Sequence, residues 1–384
     1  MQEYIVQAGD TLSSIARRFL GANGDWREIA RINNITNPAS LQIGQRLLIP
    51  NPATPPITQN PEVVMVRNTL QGVYPPNKMT ISFTKVGNDL IANLLNTGQQ
   101  ERFAKIRDLG LYRFGIFKLR DFIIYSSGLL QQLQMSSSEI NVMLVTAANE
   151  GSLDAINTWD NQYLSFGIFQ WTLGSAGQTG ELPALLSNLK RRYPTEFQYY
   201  FGQFGVDAIS MDGVTGWLSL NGKQLVNAAD KNIMRQPIWA LRFAIAGMDA
   251  LVQSVQVLHA ISRLDQFYFR PSQTLQGFAL SQLLTSEFAF SLLLDHHVNR
   301  PSHVIGCVAD AIARSGLTAA QIAQGSRDNE SLIIQNYLIL RETYGGANTM
   351  TKSRERAESI RNAIATGNLS TQRFSFRSNR QVRV

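Results

Sequence analysis

Four of the chain's 13 prolines fall within the eleven residues Asn51–Pro61, Asn-Pro-Ala-Thr-Pro-Pro-Ile-Thr-Gln-Asn-Pro, and no other feature constrains the fold as much. Proline fixes φ and removes a backbone donor, so such a run extends as a semi-stiff spacer and carries neither a helix nor an inner strand. It separates residues 1–50 from residues 62–384, and each side must bury its own core. A composition of 44% hydrophobic and 16% charged residues supplies one and excludes a mainly disordered chain. The single cysteine, Cys307, excludes an intramolecular disulfide, and its Val-Ile-Gly-Cys-Val-Ala setting reads as a small buried hydrophobe.

Residues 3–50 read as strand, helix, helix, strand. Glu3 to Gln7 alternates, Gly9-Asp10-Thr11 supplies a turn and an N-cap, and Leu12, Ile15, Ala16 and Phe19 recur at helical spacing. A second helix is expected from Trp26 to Asn33, and Gly44-Gln45 turns into Arg46–Pro50. The run Tyr4-x-Val6-x-x-Gly9-Asp10-Thr11-Leu12-x-x-Ile15-Ala16, with Ile35-x-Asn37-Pro38 and Leu41-x-x-Gly44-Gln45-x-Leu47-x-Ile49-Pro50, resembles a LysM domain. The resemblance implies binding of the N-acetylglucosamine backbone of peptidoglycan or chitin, with Gly9, Asp10, Thr11, Leu12, Asn37, Pro38 and Ala39 lining a sugar groove. Local capping and turning explain the same residues without a ligand. The long segment Phe19–Trp26 also resembles LysM modules of phage-tail and contractile-injection baseplates, where this surface docks onto protein.

Beyond the spacer, Val63–Leu70 and Lys78–Thr84 alternate around Tyr74-Pro75-Pro76-Asn77, so residues 62–103 are expected to hold a short β segment. From Ala104 helical periodicity is expected to take over, giving a large helical domain over 104–351 and a basic helix and tail over 352–384. The fold class expected is α+β, mainly α. Ser136-Ser137-Ser138-Glu139 is a capping box, followed by Ile140, Met143, Leu144 and Ala147 at core spacing. That helix should stop where Glu150 meets Gly151. A carboxylate in the last turn faces the negative end of the helix dipole and apolar neighbours, which raises its pKa as a general acid requires.

Ser165-x-Gly167-Ile168-Phe169-Gln170 begins 15 residues after Glu150. Together the two resemble the lysozyme superfamily, in particular lytic transglycosylases and goose-type lysozymes, where a catalytic Glu at a helix end is followed by Ser-x-Gly-Leu-Met-Gln. The resemblance implies that Glu150 protonates the MurNAc–GlcNAc glycosidic oxygen and that Ser165 and Gln170 shape the sugar subsite. Two departures stand out: Gly151 replaces the usual Ser, and the later Tyr-Asn motif is missing. Asp154 and Asp160 are the nearest second carboxylates, which inverting hydrolysis needs about 6.5–9.5 Å from the acid; a transglycosylase needs one. Trp159 and Trp171 are candidates for the cleft floor, with Tyr163, Phe169 and Trp217 behind them.

Asp295-His296-His297 with His303 lacks the ligand pattern of a metal site and reads as a helix whose Asp and His contact neighbouring helices. No metal or cofactor is expected, and the glycines of Gly174–Gly180 lack the Lys-Ser/Thr ending of a phosphate loop. The first residues lack a signal-peptide pattern, and the apolar stretch Ile238–Leu258 is interrupted by Arg242 and Asp249, so no membrane span is expected. The net charge of +7 concentrates in Lys352–Val384, which holds eight basic residues against Glu355 and Glu358. This predicts a tail facing an anionic wall polymer, lipid, an acidic protein or solvent, with no nucleic-acid partner. Two functions are consistent with these features. The first is a cytoplasmically made wall enzyme tethered by LysM to peptidoglycan. The second is a phage-tail or injection-system component whose LysM docks onto baseplate or sheath proteins.

Overall fold

The computed structural model describes residues 2–7, 10–20, 26, 29–30, 33, 35, 41–49, 81–94, 98–147, 151–325, 327–346 and 349–380. The chain forms two compact units, one of Met1–Pro61 with Ser126–Gly128 and one of Glu62–Tyr125 with Leu129–Val384. The proline-rich spacer and the strand expected at Val63–Leu70 lie outside the described residues.

In the N-terminal unit, β1 (Gln2–Ile5) pairs antiparallel with β2 (Arg46–Ile49), in the register Gln2↔Ile49 to Ile5↔Arg46. Period-two alternation turns Leu47 and Ile49 inward and Arg46 and Leu48 outward. Helix α1 (Leu12–Leu20) points Leu12, Ile15 and Ala16 at the same core, with Phe19 half-buried beside them. Trp26, Ile29 and Ala30 are helical, and Ile29 and Ala30 join that core. Asn33 closes the outer edge of β2 as a strand would: its Nδ2 donates to Leu48 O at 2.8 Å and its Oδ1 accepts from Leu48 N at 2.7 Å.

The larger unit opens with a seven-stranded antiparallel meander in chain order: β3 (Ile81–Val86), β4 (Asp89–Leu94), β5 (Gln99–Ile106), β6 (Leu111–Arg113), β7 (Ile156–Asn157), β8 (Ser165–Phe166) and β9 (Trp171–Thr172). The expected strand near Lys78–Thr84 is β3, and it turns through Gly87 at φ +60° into β4. The boundary expected at residue 104 falls inside β5. Phe103, Ala104 and Leu111 share one buried core with the helices, so sheet and helices form a single unit.

Three helices intervene between β6 and β7: α2 (Leu119–Tyr125), α3 (Ser127–Gln132) and α4 (Ser137–Ala147). The capping box that starts α4 is formed, Ser136 N donating to Glu139 Oε2 at 2.8 Å and Glu139 N to Ser136 Oγ at 3.0 Å. Val142, Met143, Thr146 and Ala147 are its buried face, with Ile140 and Leu144 at the margin.

After β9 come α5 (Glu181–Arg192), α6 (Pro194–Tyr200), a three-stranded antiparallel sheet of β10 (Val206–Ser210), β11 (Gly216–Leu220) and β12 (Lys223–Gln224), and α7 (Ala228–Asn232). The chain continues through α8 (Pro237–Gly247), α9 (Ala250–Ser262), α10 (Leu264–Phe267), α11 (Leu280–Leu283), α12 (Glu287–Asn299), α13 (Val304–Ser315), α14 (Ala319–Gln324), α15 (Arg327–Arg341) and α16 (Ser353–Ala365). Among the described residues no single helix is long and apolar enough to cross a membrane; α8 and the α9–α10 stretch meet at 87°.

The basic C-terminal segment is folded back into the unit, against the expectation of a free tail. Its charges are drawn to buried carboxylates and to helix-end carbonyls, which are the negative groups available inside. Arg356 joins Arg341 on Asp295 of α12, at 2.6 and 2.5 Å. Arg373 donates to Ile322 O and Gly325 O at the end of α14. Phe376 stacks on Phe290 at 3.9 Å, and Ser378 Oγ donates to Glu139 Oε1 at 2.6 Å. The His296 ring nitrogen Nδ1 lies 2.7 Å from Tyr337 Oη, so Asp295 and His296 serve contacts between helices. Cys307 is buried, and burial pushes its thiol up to about 12.

Candidate functional site

The expected acid, Glu150, lies outside the described residues, as do Gly9, Asn37, Pro38 and Ala39. The segment just C-terminal to Glu150 is firmly placed by its backbone hydrogen bonds. Gly151 N donates to Ile168 O at 3.2 Å, Gly167 N to Ala155 O at 2.9 Å, and Leu153 N to Phe117 O at 2.8 Å. The loop Gly151–Ala155 thus runs between the segment leading into α2 and the turn that joins β8 to β9.

That turn is the Ser-x-Gly-Ile-Phe-Gln motif. Gly167 at φ +80° and Gln170 at φ +52° bend the chain back, and both the backbone and side-chain nitrogens of Gln170 donate to Gly167 O, at 3.0 and 2.9 Å. A Cβ on Gly167 would sit 2.2 Å from Gln256 Oε1. Positive φ and this close approach together explain why glycine stands here.

The expected ligand-facing residues separate into two groups. Gln170 is half-buried, and Trp159 is 42% exposed beyond the end of β7. Ser165 and Trp171 are corrections: they are 2% and 1% exposed, Trp171 on the face of the β8–β9 pair that it shares with buried Phe166, and Ser165 enclosed on the other face beside half-buried Thr172. Trp171 packs edge-on against Phe169 and His259 and does not floor a cleft. Phe169 is likewise buried, whereas Tyr163 is half-buried under the Arg235 guanidinium, 4.6 Å from the ring centre.

Asp154 is also corrected as a free second carboxylate. It is fully buried, Oδ1 accepting from Ile116 N and Phe117 N at 2.8 and 3.0 Å while Oδ2 pairs with Arg113 at 3.3 Å. These bonds hold the link between β6 and α2, where Gly115 takes φ +80° against it. Asp160 is half-buried and organises the β7–β8 loop, accepting from Asn157 Nδ2 at 2.7 Å and Gln162 N at 2.9 Å. Arg235 clamps the same loop through the carbonyls of Thr158 and Asp160.

Sequence reasoning missed Lys118, Lys231 and Gln256. Lys118 Nζ donates to Ser152 Oγ at 2.7 Å and lies 4.1 Å from the centre of the exposed Phe114 ring. Lys231 Nζ lies 2.6–3.2 Å from four carbonyl oxygens, those of Leu173, Gly174, Ser175 and Gln178, which share its three N–H donors, and so stands as a fixed cation inside the glycine loop after β9. Burial pushes its ammonium down to about 8. Gln256 shares helix α9 with the polar residues Gln253, Ser254, His259 and Ser262, so nothing in the sequence singled it out.

In the N-terminal unit Asp10 Oδ2 accepts from Tyr4 Oη at 2.6 Å and from Gln7 N at 2.7 Å, which fixes the loop between β1 and α1. Thr11 caps α1: its Oγ1 accepts from Ser14 N at 3.0 Å, and Ser14 Oγ accepts from Thr11 N at 2.9 Å. Leu12, expected along the groove, has its side chain in the core. Among the described residues of this loop, Gln7 and Thr11 are exposed and Asp10 is half-buried.

Among known proteins, an uncharacterized protein of Deinococcus radiodurans is 47% identical over 47 residues. That match covers 12% of this chain and 19% of the relative. No solved structure matches. Residues 4–50 match the family model of the LysM domain, and that segment is a LysM domain.

Proposed function

We propose that the larger unit cleaves the glycan strand of peptidoglycan with Glu150 as general acid, and that the LysM domain tethers it to that polymer. One observation carries the reading: the amide directly after Glu150, that of Gly151, is hydrogen-bonded to Ile168 O within the Gly167–Gln170 turn. Gly151 is thereby held against the turn of the second motif, which supports the order helix, acid, short hairpin that the resemblance to lytic transglycosylases implies. Of the ligand-facing residues that the resemblance implies or the sequence suggests, Gln170 is half-buried and Trp159 is exposed, open to a sugar chain.

The commitment of Asp154 to Arg113 and two backbone amides favours chemistry with one carboxylate. Glu150 gives its proton to the glycosidic oxygen, and the bond from MurNAc C1 to that oxygen breaks. The C6 hydroxyl of the same MurNAc closes on C1 and returns its proton to Glu150. The products are an anhydro-sugar end and a free GlcNAc hydroxyl, with no water consumed.

The test is clearance of purified peptidoglycan by the full chain and by Glu150→Gln, with mass spectrometry of the products. Loss of the acid should slow turnover by roughly 10²–10⁴-fold. Anhydro-muropeptides support the single-carboxylate route, and reducing ends overturn it. Equal clearance by both proteins removes Glu150 from the reaction. Inactive wild type that still pellets with the polymer leaves a wall-binding module beside a scaffold.

A further inference from the structure

We propose that Gln256 is a positioning residue for this cleavage: its carboxamide sets the distance between the loop after Glu150 and the turn that carries Gln170. The inference rests on the reading of Glu150 as the acid. Gln256 is fully buried on α9 and reaches both backbones at once, Nε2 donating to Leu153 O at 2.8 Å and Oε1 accepting from Ile168 N at 3.2 Å. It stands where a strand's peptide group would stand, one donor toward one segment and one acceptor toward the other.

Three further contacts fix where Gln256 itself sits. Asp249 caps α9 through Leu251 N at 2.8 Å and is held by Tyr200 Oη at 2.9 Å. Gly247, at the end of α8, packs so closely on the loop that a Cβ would lie 2.6 Å from Leu153 O and Asp154 Cα. Gly167 leaves room for the carboxamide on the other side. The α8–α9 elbow is therefore a rigid template pressed against the Gly151–Asp154 loop, and Gln256 ties the motif turn to it. Catalysis by a single positioned carboxylate is sensitive to such spacing, since a displacement of about 1 Å can cost on the order of 100-fold in rate.

The experiment compares wild type, Gln256→Met and Gln256→Glu on solubilised, uncross-linked glycan strands, with kcat and KM per folded molecule measured across pH. Hydrogen exchange of the segment 164–173 is followed in parallel. Methionine keeps the volume and removes both bonds; kcat should fall by about 10–100-fold with KM within about 3-fold, and the Ile168 amide should exchange faster. Glutamic acid in its neutral form again offers one donor and one acceptor, so kcat relative to wild type should recover as pH falls and Ile168 protection should return with it. A role confined to stability would lower the folded fraction and leave kcat per folded molecule and its pH ratio unchanged, which overturns the inference. Active wild type with an equally active Gln256→Met also overturns it, alone. If Gln256→Met does not fold, the pH ratio of Gln256→Glu decides by itself. Wild type without cleavage overturns the catalytic reading, and this inference with it.

Discussion

The two units handle polar groups in opposite ways. Among the described residues, the N-terminal core is Tyr4, Val6, Leu12, Ile15, Ala16, Ile29, Ala30, Leu47 and Ile49, and the cap of Thr11 with Ser14 lies at the surface. The larger unit encloses Asp154, Lys231, His259, Asp295, His296 and Arg341 within its core. A small domain with an apolar core is specified by its hydrophobic pattern. A larger one that buries ionisable groups depends also on their protonation and on partners distant in the chain.

Acid should break the symmetry between the units most strongly. All four histidines lie in the larger unit. Burial pushes His259, His296 and His297 from 6.5 down to about 3, helped by Arg263 beside the first and third and Arg341 beside the second. Each pKa is lower in the folded state, so between 6.5 and about 3 the unfolded chain binds more protons. The stabilisation is complete above 6.5 and is lost as pH falls through that window. By pH 4 the loss is roughly 3 kcal/mol per histidine, which for three approaches the whole stability of a domain. Calorimetry at pH 7 and pH 4 should show the larger unit's transition collapse while that of the LysM unit persists. Transitions that move together would refute the contrast.

Next in size is the removal of one carboxylate from each unit. Asp295→Ala leaves Arg341 fully buried without its counter-charge and removes the Asp295 contact of Arg356, at a cost of roughly 3–5 kcal/mol. Glu3→Ala breaks an exposed pair with Arg46 at 3.6 Å and should change stability by less than about 1 kcal/mol. Urea midpoints of the two transitions measure both. A small effect of Asp295→Ala would mean that water reaches Arg341.

The same contrast explains what could be read from the sequence. The LysM turns, the capping box at Ser136 and Glu139 and the motif turn at Gly167 are local, their partners lying within a few residues. Glu139 also holds Ser378, 239 positions away, and that contact turned an expected free tail into a structural strap. Asp154 looks like a free carboxylate until Arg113, 41 positions earlier, is placed against it. Motif resemblance places Ser165 and Trp171 toward a ligand, whereas the short β8–β9 hairpin is covered on both faces, so each is buried although the two point to opposite sides. The seam between sheet and helices was misplaced because β5 ends in the turn Arg107–Gly110 without any proline or charge run to announce it.

A small effect confined to the LysM unit tests whether Thr11 acts as a cap or also as a ligand contact. Thr11→Ala removes the acceptor for Ser14 N and should lower the stability of the LysM unit by about 1 kcal/mol, leaving the larger unit's transition in place. Thr11→Ser keeps the hydroxyl and should restore that stability. If Thr11 only caps, pelleting with peptidoglycan tracks stability through both substitutions, because the loop is intact whenever the helix is. If the residue also touches the glycan, Thr11→Ala loses more affinity than its stability loss accounts for, and Thr11→Ser recovers stability without full affinity. A gap between the two readouts would assign the Asp10–Thr11 loop a direct role in binding. Their agreement would move the sugar contacts to other residues of the domain.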